Sequence, residues 1–139
     1  TSITVKFTLP VDGTYKLYIE NPDGNAVQTN AVLTVSDAPA WVTGAGSLGS
    51  FAAGTTIATI TITATNATSF AVQSGSLPTG LSLNTGSGSA TITGTVSSGI
   101  TSDTLFSFTV RATDAEAQTA DRAFTINVTT GANNSGQFN

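Results

Sequence analysis

The residues of this chain best able to do chemistry are carboxylates. Asp114, Glu116 and Asp121 fall within one short stretch, with Asp103 upstream. Calcium takes roughly six to eight oxygen ligands, several of them carboxylates. These four acids are therefore the candidate calcium ligands. Against that stands a structural account, because Arg111 and Arg122 lie close by in sequence and surface ion pairing would occupy the acids equally well. Two carboxylates can also hydrolyse a glycosidic bond, but only from opposite walls of a cleft. Acids gathered on one hairpin do not supply that arrangement. The chain contains no His and no Cys. That removes the commonest general base, thiol nucleophiles, disulfides and thiolate metal sites. The expectation is a non-enzymatic protein with no catalytic residues and no resident cofactor, calcium being the one candidate to test.

Two glycine-rich stretches invite a phosphate. "GAGSLG", residues 44–49, has the form G-x-G-x-x-G. A dinucleotide site needs that form between a strand and a helix, with an acid about twenty residues on. Here no acid occurs before Asp103, and no helix pattern follows. "GSLPTGLSLNTGSGSATITGT", residues 75–95, has no Lys to make a phosphate-binding loop and no G-x-S-x-G nucleophile turn. Its glycines read as turn positions. Pro78 and Gly80 direct the chain, Gly86 and Gly88 serve a hairpin-like turn, and Leu81, Leu83 and Ile92 face the core.

Composition narrows the partners. Charged residues are 9% of 139, the net charge is −4, and the cations are Lys6, Lys16, Arg111 and Arg122. Nucleic-acid binding needs a basic stripe, so it is not expected, and no run is apolar enough to insert in a membrane. Between Asp37 and Asp103 there is no ionisable side chain. Such a surface offers little repulsion to keep copies apart, which suits a module fixed in an assembly. The chain has no Met, as expected of a processed or partial piece. Trp41 is the single Trp; burial at the base of the second domain or at the domain junction is favoured over an exposed sugar platform. Asn66, Asn127 and Asn133 begin N-x-[ST] sequons that a Thr-rich chain produces by chance.

Those residues must be positioned by strands. Period-two alternation marks strands near residues 3–9, 14–20 and 26–35, with Tyr15, Leu17, Ile19, Leu33 and Val35 expected inward. "PVDG" and "NPDGN" supply turns between them. A linker over residues 37–40 follows. Further strands are expected near residues 57–65, 69–73, 81–83, 90–95, 105–113 and 119–129. "DAEAQ", residues 114–118, joins the last two as a hairpin. Phe106, Phe108, Val110 and Ala112 share one face, as do Phe124, Ile126 and Val128. Short strands with turn signals about every ten residues indicate an all-β chain. The division is then residues 1–36, a three-strand sheet whose inner face has no cover; residues 41–129, an Ig-like β-sandwich with Greek-key antiparallel sheets; and residues 130–139, a polar tail.

Residues 41–128 resemble the Ig-like repeats of bacterial and phage surface proteins, relatives of cadherin-like, dystroglycan-type domains. The resemblance is carried by "GSLPTGLSLNTGSG", "ITGT" and "FSFTVRATDAEAQTADRAFTINV". One departure is Val96 after "GT", where many relatives place Pro. "DGTYKLYIENPDGNAVQTNAVLTV" is similar to the closing strands of an IPT/TIG-type Ig-like domain. These resemblances imply a structural or surface-display module of a larger phage virion protein (tail fibre, baseplate or capsid surface), or else an adhesion module of a phage or bacterial surface protein. The partners then implied are other virion or surface proteins in a homo-oligomeric assembly, or a host-surface glycan or receptor. The location implied is the virion or the extracellular bacterial cell surface.

Overall fold

A computed structural model describes residues 9, 13–20 and 22–130, with residues 27–32 described by backbone alone. Residues 3–8 of the expected first strand, residues 10–12 of the "PVDG" turn and the tail beyond Thr130 lie outside the described residues. The chain divides into two compact units, Thr1–Asp37 and Ala38–Asn139.

In the first unit, β1 (Gly13–Glu20) pairs antiparallel with β2 (Ala26–Val35). The turn between them uses Gly24 at φ 85°, and Asp23 Oδ1 accepts from Asn25 N at 3.2 Å. The side chains expected inward are not covered. Leu17, Ile19 and Leu33 are 48%, 51% and 47% exposed, while Tyr15 and Val35 are half-buried. The alternation is real, but among the described residues this strand pair has no second layer to bury its apolar face.

The second unit is a two-layer sandwich. Its strands are β3 (Ala40–Trp41), β4 (Gly46–Ala52), β5 (Ile60–Thr65), β6 (Ser69–Gly75), β7 (Leu81–Thr85), β8 (Ser89–Gly94), β9 (Thr104–Thr113) and β10 (Thr119–Thr129). One sheet runs β4-β10-β9-β6 and the other β3-β5-β8-β7. The inward rows are the expected ones. Phe108, Val110 and Ala112 face Phe124, Ile126 and Val128 in one sheet, against Ile62, Ala64, Ala90 and Ile92 from the other, and all ten are buried. Burying each of the larger of these contributes about 1.5–3 kcal/mol. Phe106, at the end of its row, is only half-buried.

Two features depart from expectation. Residues 46–52 form a strand where glycines interrupt the alternation, and it pairs with β10 in parallel, so this sheet is mixed rather than wholly antiparallel. The strand expected from Ile57 begins at Ile60; the preceding residues form a connection held by the isolated bridge of Thr56 to Thr95, whose hydroxyls lie 2.8 Å apart, and by Gly54 N donating to Val96 O at 2.9 Å.

Candidate functional site

The acid-bearing hairpin joins β9 to β10. Because Phe108, Val110 and Ala112 point inward, period two directs Asp114 inward as well. It is 6% exposed. Its Oδ1 accepts from the backbone N–H of Glu116 at 3.0 Å and of Gln118 at 2.7 Å, while its own N–H donates to Gln118 O at 3.1 Å. Its Oδ2 is buried without a hydrogen-bond partner among the described residues. Asp114 therefore caps the turn from within. The loop, residues 115–117, ends on Ala117 at φ 66°, the left-handed position that such three-residue hairpins usually give to glycine. An L residue held there costs about 1–2 kcal/mol. Ala117→Gly is accordingly expected to stabilise the chain by about 1 kcal/mol in urea titration.

Asp121 is directly opposite Arg111 across β9 and β10. The guanidinium grips the carboxylate from Nε and Nη2, both at 2.7 Å. The hydrogen bond from Arg111 lowers the Asp121 pKa, and Asp121 in turn raises that of Arg111. A carboxylate with a depressed folded-state pKa stabilises above its unfolded value and loses that contribution as pH falls through the folded one. The melting-temperature deficit of Asp121→Asn should thus be visible at neutral pH, shrink below about pH 4, and shrink in high salt, since the pair is exposed. An equal deficit at all pH values would contradict the pairing.

Asp103 is elsewhere. Its Oδ1 accepts from Thr130 N at 2.8 Å and Thr130 Oγ1 at 3.0 Å, tying the start of β9 to the end of β10. Eleven residues of extended chain separate it from Asp114, about 36 Å. The four acids are therefore not brought together: one ties the far end of the hairpin, one is buried under its turn, Glu116 lies on the turn, and Asp121 is on the sheet face. Among the described residues no three His, Cys, Asp or Glu side chains converge to hold a metal ion.

Trp41 is half-buried. Its ring meets Phe70 and Phe124 edge-on, with centroids 5.6 and 5.4 Å away, and its indole N–H donates to Ala120 O at 3.0 Å. The Arg122 guanidinium lies 6.0 Å from the ring centroid and donates to Thr43 O at 2.8 Å. Packing on two aromatic rings and a guanidinium makes Trp41 the plug of this end of the core.

The glycine stretches are architectural in different ways. "GAGSLG" runs into β4, a strand rather than a helix, with Leu48 and Phe51 packed on the core. In residues 75–95 the decisive pair is Gly80 and Gly94, at φ 96° and 135°. A Cβ on Gly80 would lie well under 3.0 Å from Thr95 O, and one on Gly94 equally close to Gly80 O. The two backbones touch where β7 begins and β8 ends, and Leu81 is the register partner of Gly94. Sequence reasoning found the turn glycines but missed this contact, which joins residues fourteen apart.

A two-sheet sandwich with the first strand of one sheet parallel to the last, and with its polar side chains holding turns and strand ends, defines an Ig-like domain. Residues 44–129 match the family model described as "Putative Ig domain" (He_PIG). The chain belongs to that family. No curated protein sequence matches it. Among solved structures, an endo-fucoidan hydrolase of glycoside hydrolase family 107 is similar at a TM-score of 0.52 and 16% identity, over 88% of this chain and 20% of that one. Extracellular cadherin domains 1–4 of protocadherin gamma B7 align at a TM-score of 0.48 and 13% identity, over 88% of this chain and 40% of that one. The chain thus spans a fifth of the hydrolase's length, and the likeness is one of fold.

Proposed function

We propose that this chain is a non-enzymatic structural and surface-display segment of a larger phage virion protein of the tail fibre, baseplate or capsid surface. The observation that carries this reading is that one whole layer of the sandwich lacks ionisable side chains. Sheet β3-β5-β8-β7 lies entirely between Asp37 and Asp103. Thr61, Thr63, Ser82, Asn84, Thr91 and Thr93 alternate with its buried or half-buried apolar row. A neutral hydroxyl face packs against neighbouring subunits without charge repulsion or a large desolvation cost. Asp103, Asp114 and Asp121 serve internal bonds, consistent with a building role.

The test is surface labelling. Antibodies raised against the second unit should bind intact particles of the source. Antigen confined to a soluble cytosolic fraction would overturn the reading. Specific hits on a glycan array would replace it with adhesion.

A further inference from the structure

A sheet edge leaves backbone N–H and C=O groups without a ladder partner, and proteins blunt such edges with short strands, charges, proline or bulges. The other edge strands described above carry one of these devices. β3 has two residues. The ladder of β4 shifts register between Thr125 and Asn127, and that of β6 between Val72 and Ser74. β1 and β2 share a ladder that shifts between Lys16 and Tyr18, and β1 carries Lys16 and Glu20. β7, the outer strand of its sheet, has none of them. It reads LSLNT, five residues in unbroken register with β8, from Leu81 opposite Gly94 to Thr85 opposite Ala90.

The backbone groups that β7 turns outward follow from its hairpin. Gly86 N donates to Ser89 O at 2.9 Å, so Gly86, and by alternation Asn84 and Ser82, face β8. Leu81, Leu83 and Thr85 direct theirs away from the sheet. Leu81 N is taken by Pro78 O at 3.0 Å. That leaves the Leu83 N–H and C=O, the Thr85 N–H and the Leu81 C=O for a further strand.

These groups are self-complementary about Leu83. In an antiparallel pair centred there, Leu83 exchanges two bonds with Leu83 of a second copy, and each Thr85 N–H meets the other chain's Leu81 C=O. On the outer face Ser82 stands opposite Asn84 of the second copy. Asn84 Nδ2 already donates to Thr93 Oγ1 at 3.0 Å, which leaves its oxygen to accept from that hydroxyl. On the inner face the half-buried Leu83 side chain meets its counterpart beside the core. Charge selects the occupant. A two-fold axis brings each side chain near it up to its own copy, so an ionisable group there would face a like charge. None occurs between Asp37 and Asp103, the span that holds this whole sheet.

We propose that β7 pairs antiparallel with β7 of a second copy, joining two four-stranded sheets into one of eight strands. The inference rests on the subunit-packing part of the proposed function and names the surface that performs it.

The test uses the full chain, which has no native Cys. Ser82 and Asn84 are exposed. Across the pair, residue 82 faces residue 84 of the other copy with Cα atoms about 4.5 Å apart, within reach of a disulfide. Residue 82 and its own counterpart lie about 8 Å apart, beyond that reach. A mixture of Ser82→Cys and Asn84→Cys chains under mild oxidation should therefore give linked dimer at least about tenfold faster than either variant alone. A mixture of Ser69→Cys and Ala71→Cys, exposed on the β6 edge, should show no such gain. In sedimentation equilibrium the unmodified chain should dimerise. Ser82→Lys should weaken that dimer at least about tenfold with circular dichroism unchanged. Thr61→Lys, exposed on the outer face of the same sheet, should leave it intact. A chain that stays monomeric up to about 1 mM would overturn the edge pairing. So would equal linking rates, an equal gain at the β6 edge, or a dimer weakened by Thr61→Lys and not by Ser82→Lys. Surface labelling of particles has no bearing on these results, so failure of the pairing and failure of the virion assignment are distinguishable.

Discussion

Gly94→Ala is expected to destabilise the chain by about 3 kcal/mol or more. The added methyl would lie well under 3.0 Å from the Gly80 carbonyl oxygen, and the backbone holds φ 135°, which L residues rarely adopt. The obstacle is backbone on both sides, so no side chain can rotate away. Gly80→Ala meets the Thr95 carbonyl in the same way and should cost a similar amount. Gly44→Ala is the control: a Cβ there meets nothing within 4 Å, and its effect should stay within about 0.5 kcal/mol. Urea unfolding of the three variants checks this. Equal midpoints for Gly94→Ala and Gly44→Ala would show that the close approach is absent.

The second large effect concerns Asp114. Asp114→Ala removes the acceptor for two backbone N–H groups beneath the hairpin turn and is expected to cost about 2 kcal/mol. Asp114→Asn keeps one oxygen for those donors and should lose no more than about 1 kcal/mol. It gives up the charge-assisted part of the two bonds, but it also removes a buried oxygen that has no partner among the described residues. The ordering is what matters. A capping role needs Asn to be milder than Ala, whereas a ligand-holding role would make both variants insensitive in the absence of ligand. Equilibrium unfolding with both variants separates the two.

Much of the second unit was legible in the sequence. The rows Phe108–Val110–Ala112 and Phe124–Ile126–Val128 follow from alternation, which is strong wherever one face of a strand is buried. Asp114 was legible too, because continuing its row by two places it under the hairpin. Grouping it with Glu116 and Asp121 by proximity in sequence obscured that. Neighbours in an extended chain point to opposite faces, so sequence closeness does not make a ligand set. Strand β4 was not legible. Gly46 and Gly49 break the apolar rhythm, and its ladder partner is the last strand, about eighty residues away. The Gly80–Gly94 contact was hidden for the same reason, since each glycine alone reads as a turn. In the first unit alternation gave β1 and β2, but it does not by itself supply a covering layer, and Leu17, Ile19 and Leu33 are exposed.

Asp103, Asp114 and Asp121 each accept internal hydrogen bonds, and none of them is expected to hold calcium. The most direct measurement is the melting temperature of the full chain in excess calcium and in excess chelator. The melting temperature should be the same in both. A ligand at 100 times its dissociation constant stabilises by about 2.7 kcal/mol, which in a domain of this size raises the melting temperature by roughly 10 °C. A rise of that order in calcium would show that these carboxylates hold the ion.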